Sequence, residues 1–86
     1  MTLAEQFVYL TLFSKFGYRA FTSRELNSAI SFLLKNYKFS KDEILRSLTK
    51  FILERAMYRG KQGGKYVYRI TQNHEAEYKK LRSGVS

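Results

Sequence analysis

The chain has no cysteine, no proline and no tryptophan. Without cysteine there are no disulfides and no thiolate metal or redox centres. The fold must therefore hold on packing alone or gain burial by self-association. Histidine occurs once, at His74, so no histidine-based metal site can be assembled either. Acidic residues number only seven against 16 Lys and Arg. They form no pair with an evident catalytic partner. No apolar run approaches the ~18 residues needed to cross a bilayer. Glu5 interrupts the N-terminal apolar stretch, no basic residue precedes it and no small-residue cleavage site follows, so it does not read as a secretory signal. Cytoplasmic residence is the expectation. Gly63-Gly64 lacks the lysine spacing of a nucleotide-binding loop. No enzyme, cofactor, metal or small-molecule ligand is expected.

What the chain does have is aromatic bulk and positive charge. Seven Phe and seven Tyr among 86 residues suffice for the compact core of one small domain, residues 1–86. The net charge is +9, and +7 of it lies between Lys35 and Arg69, where ten Lys and Arg face three acids. Such a concentration favours a polyanionic partner.

Local patterns predict helix from Leu3 to Phe16, ended by Gly17. Leu3, Phe7, Leu10 and Ser14 lie on one stripe, but the helix is apolar nearly all round. Two readings stand: a deeply buried central helix, or a helix that also pairs two subunits. Tyr18 to Phe21 is short and extended. Thr22-Ser23-Arg24-Glu25 forms a capping box for a second helix to about Lys35, with Leu26, Ile30, Leu33 and Tyr37 marking its inner face. Asn36 to Phe39 connects to a second box, Ser40-Lys41-Asp42-Glu43, which opens a helix to about Arg55. Ile44, Leu45, Leu48, Phe51, Ile52 and Ala56 are its expected core face. Lys41, Arg46, Ser47, Thr49, Lys50 and Glu54 are expected outside. Strand begins at Met57, Gly60 to Gly64 is turn chemistry, and Lys65 to Ile70 alternates as a second strand. Thr71 is the expected cap of a last helix, Gln72 to Ser83, whose only apolar stripe is His74, Tyr78 and Leu81.

The order helix, short strand, helix, helix, strand, glycine-turned strand, helix resembles the winged helix-turn-helix family of DNA-binding domains. The matching segments are Thr22 to Leu26, then Ile44, Leu48 and Phe51, then Arg55-Ala56-Met57, and finally Tyr66 to Thr71. The resemblance covers roughly residues 3–72. One departure is the length from Leu26 to Ile44, longer than a compact helix-turn-helix with its turn of three or four residues.

The resemblance implies an α+β fold with a three-helix core and a β-hairpin wing. It implies a third helix in the major groove of double-stranded DNA and a wing on adjacent backbone or minor groove. Carried over by position, Arg46, Ser47 and Lys50 are candidate base readers, with Lys41 and Thr49 at flanking phosphates. Arg59, Lys61, Gln62, Lys65 and Arg69 are the wing candidates. The implied function is that of a small, repressor-like transcription regulator of a kind found in archaea and their viruses. A homodimer is expected on Phe7, Val8, Leu12, Phe13 and Phe16, helped by Tyr78 and Leu81. The alternatives are a protein–protein module of the same fold, or nonspecific nucleic-acid binding.

Overall fold

The computed structural model describes residues 2–71. The last predicted helix, with His74, Tyr78 and Leu81, lies outside them. The described chain is α+β: three helices and a three-stranded antiparallel sheet. In chain order these are α1 (Leu3–Phe16), β1 (Phe21–Thr22), α2 (Ser23–Asn36), α3 (Lys41–Leu53), β2 (Met57–Gln62) and β3 (Lys65–Ile70).

All three helices begin in the same way. Thr2, Thr22 and Ser40 each accept the backbone N–H three residues on, and Glu5, Glu25 and Glu43 reach back to the cap N–H. Each box satisfies two of the donors that a helix start leaves unpaired. The Thr2 box follows the same Ser/Thr-x-x-Glu spacing as the other two. Gly17 closes α1 at φ +59, its N–H donating to the Phe13 carbonyl.

The extra length between the second and third helices resides in α2, which has 14 residues. The link to α3 is only Tyr37 to Ser40. That link is seated on α1 by aromatic contacts: the Phe7 ring lies 4.9 Å from Tyr37 and 5.7 Å from Phe39. Tyr37, expected on the inner face, is thus a surface clip and remains exposed.

The sheet order is β1-β3-β2. β1 pairs through Phe21 with Tyr68 and Thr22 with Val67. The hairpin runs in unbroken register from Met57–Ile70 to Gln62–Lys65. Strand β2 therefore continues through Gly60, Lys61 and Gln62, the first three residues of the stretch whose composition reads as turn. The turn itself is Gly63-Gly64, both at positive φ (+59 and +78), as two-residue hairpin loops require. The Tyr58 ring is folded over Gly60, where a Cβ would meet its hydroxyl at 2.5 Å. A ring takes the place of the missing side chain and keeps the strand covered.

The core joins Val8, Tyr9 and Leu12 of α1 to Leu26, Ala29, Ile30 and Leu33 of α2 and Ile44, Leu48 and Phe51 of α3. Phe21, Met57 and Ile70 close it from the sheet. Phe16 and Phe21 stack at 4.2 Å, tying the end of α1 to β1.

Candidate nucleic-acid interface

The exposed side of α3 carries Lys41, Asp42, Leu45, Arg46, Thr49, Lys50 and Leu53. Its buried side is Ile44, Ser47, Leu48 and Phe51. Two expectations change here. Leu45 is not a core residue; it is 42 % exposed. Ser47 is not a surface reader; it is buried, and its hydroxyl donates to the Glu43 carbonyl at 2.8 Å. Ser47 stands at the edge of the buried arc, next to Phe51 in angle around the helix, and its hydroxyl is satisfied within the helix.

Lys50 is only partly available. Its ammonium donates to both carboxylate oxygens of Glu5, at 3.1 and 3.0 Å. Glu54 stands 3.9 Å from it on the other side. Glu5 is buried, with its side chain 5 % exposed. Burial pushes the Glu5 carboxyl up, but hydrogen bonds from the Thr2 amide and Lys50, with the charge of Lys50, outweigh it and hold the group below its ordinary value. A residue expected to read bases is thus an anchor between α3 and the start of α1. The signal was present in the sequence only as an acid inside an apolar helix, which needs a partner.

Arg46 lies beside Asp42, one turn back, at 3.3 Å, and both are largely exposed. Exposed pairs of this kind contribute well under ~1 kcal/mol, so Arg46 can exchange Asp42 for a phosphate or a base. Thr49 is exposed, but its hydroxyl donates to the Leu45 carbonyl at 3.0 Å. Lys41 is exposed in the first turn.

On the hairpin, cross-strand partners share a face. Arg59 and Lys61 pair with Tyr68 and Tyr66, on the face that continues into the core through Met57 and Ile70. Gln62, Lys65 and Arg69 stand on the opposite face with Tyr58. The five wing candidates therefore form two groups. Each group has an exposed tyrosine under it: Arg59 and Lys61 both lie 5.3 Å from the Tyr66 centroid, and Arg69 lies 5.9 Å from that of Tyr58. These cation–π contacts hold flexible cations along the strands. Between the hairpin tip and the start of α2 runs an open groove of about 790 Å³, lined by Thr22, Ser23, Arg24, Gly64, Lys65 and Tyr66.

The residues expected at a subunit interface fare unevenly. Val8 and Leu12 are 1–2 % exposed within a single chain, so they belong to its own core and cannot face a second copy. Phe7, Phe13 and Phe16 are half-buried against that core. Phe13 packs edge-on to Tyr18 at 5.3 Å. The exposed side of α1 is left to Leu3 and Ser14, with Leu10 and Phe13 beside them partly buried against the core.

Among the described residues no group of His, Asp and Glu is placed to hold a metal ion. No described helix is long and apolar enough to cross a membrane. No protein-family model, curated protein or solved structure matches the chain.

Proposed function

We propose that this protein binds double-stranded DNA as a winged helix, with the exposed side of α3 in the major groove and the β2–β3 hairpin on the neighbouring backbone or minor groove. Its role is binding without catalysis, and it would regulate transcription by occupying a site. The observation that carries this reading is the joining of a short α2–α3 link to a hairpin with cations on both faces. Arg59 and Lys61 stand on one side of the hairpin and Lys65 and Arg69 on the other. A finger charged on both faces suits a groove walled by two phosphate strands. The element order and the pairing of β1 with β3 are compatible with a winged helix. Arg46 and Lys41 supply the charge on α3.

The proposal includes pairing of two copies, now on the narrower stripe of Leu3, Leu10 and Phe13. Selection of bound sequences from a random duplex pool tests both parts. A palindromic motif with half-sites about one DNA turn apart, ~34–36 Å, is the expected result. A non-palindromic motif removes the pairing. No enrichment removes sequence-specific binding.

A further inference from the structure

The polar groups of α3 that read bases in a groove are largely spoken for. The Ser47 hydroxyl is buried, the Thr49 proton is given to the Leu45 carbonyl, and the Lys50 ammonium is held by Glu5. What α3 turns outward is a ridge at i, i+4 and i+8: Leu45, Thr49 and Leu53, with Arg46 alongside. Leu45 is 42 % exposed, and Leu53, at 78 %, is the most exposed large apolar side chain described. With its proton turned back to the helix, Thr49 cannot donate outward, and it presents its methyl beside an oxygen that can only accept.

The major groove offers one apolar feature to such a ridge, the C5-methyl group of thymine. We infer that Leu45 and Thr49 recognise thymine methyl groups, so that the preferred site is rich in A·T pairs where the middle of α3 enters the groove. The inference rests on the duplex-binding reading above. Charge complementarity selects DNA as the occupant: the ridge is flanked by Lys41 and Arg46, and the basic hairpin follows α3 directly in the chain. Leu53, at the last position of α3, extends the ridge toward that hairpin.

The test is anisotropy with three synthetic duplexes: alternating A·T pairs, the same duplex with deoxyuridine in place of every thymidine, and a G·C duplex. Uracil differs from thymine only by the methyl, so wild-type protein should bind the uracil duplex roughly fourfold more weakly for each methyl it buries. Replacing cytosine by 5-methylcytosine in the G·C duplex should strengthen binding. The double variant Leu45→Ala/Thr49→Ser removes apolar groups from exposed positions, so its thermal melt should match wild type. It should bind the thymine and uracil duplexes equally while keeping its affinity for G·C DNA. Equal wild-type affinity for thymine and uracil duplexes overturns the inference and leaves duplex binding standing. So does discrimination that survives in the double variant. Failure to bind all three duplexes overturns duplex binding itself. If there is no thymine preference but Leu45→Ala changes the sedimentation of the protein, the ridge is a protein contact and the inference is wrong.

Discussion

Glu5 and Lys50 show how a single side chain decides what a helix face can do. A carboxylate with little exposure is tolerated where donors surround it, and here the donors are the Thr2 amide and the Lys50 ammonium. Removing Lys50 leaves a buried acceptor short of a charged partner. Lys50→Met is therefore expected to lose about 1–3 kcal/mol at neutral pH by urea denaturation. The pH dependence has a definite sign. The folded-state pKa of Glu5 lies below its ordinary value, so the stability it contributes is present above the unfolded pKa and fades as pH falls through the folded one. The gap between wild type and Lys50→Met should close in acid; a gap independent of pH would show that the ammonium does not stabilise the carboxylate. The sequence could not place these two residues 45 positions apart in one contact. It could not phase α1 either. With Phe7, Val8, Tyr9, Leu10, Leu12 and Phe13 spread around the helix, periodicity does not single out the buried face. The Ala4-Val8-Leu12 line that faces the core does not stand out from the rest, and Val8 and Leu12 read in sequence as interface residues.

At the scale of elements, chemistry local in sequence was the most legible. The capping boxes at Thr22 and Ser40 mark true helix starts, and Gly17 and Gly63-Gly64 mark true reversals, because each needs only a few neighbouring residues. Gly60 reads in sequence as part of the turn, because its place in the strand depends on a ring two residues away. That arrangement makes a prediction by double-mutant cycle. Gly60→Ala forces the Tyr58 ring off the strand and away from Arg69, and should cost about 1 kcal/mol, the low end for overpacking, since the ring is 54 % exposed and can move. In a Tyr58→Ala background the same change should be neutral or stabilising, as alanine is a better strand residue than glycine when nothing obstructs it. Additive effects in thermal melts would mean that the ring does not cover the glycine. Leu45 and Ser47 were exchanged between core and surface for a related reason. Leu45 lies at one border of the apolar arc, while Ser47 lies just beyond the opposite border, next to Phe51, and is small enough to be buried with its hydroxyl satisfied.

For the molecule as a whole, the α+β class, the order of the six described elements and the basic hairpin are readable from the chain. The division of wing cations between two faces followed only from the strand register. The clip of Phe7 on Tyr37 and Phe39 shows why a longer α2 still delivers a short link to α3. Self-association now rests on less surface than composition suggested. Sedimentation equilibrium should show a dimer that Leu3→Glu, a change at an exposed position, converts to a folded monomer; a wild-type monomer at micromolar concentration would leave each chain to bind alone. The central claim is that the charge gathered from Lys35 to Arg69 meets a phosphate backbone. Its most direct test is anisotropy of a labelled duplex across a salt series. If about five phosphates are neutralised per chain, log K should fall with log salt at a slope of about −4 to −5 per chain. Binding that does not respond to salt, or no binding even at low ionic strength, would contradict it.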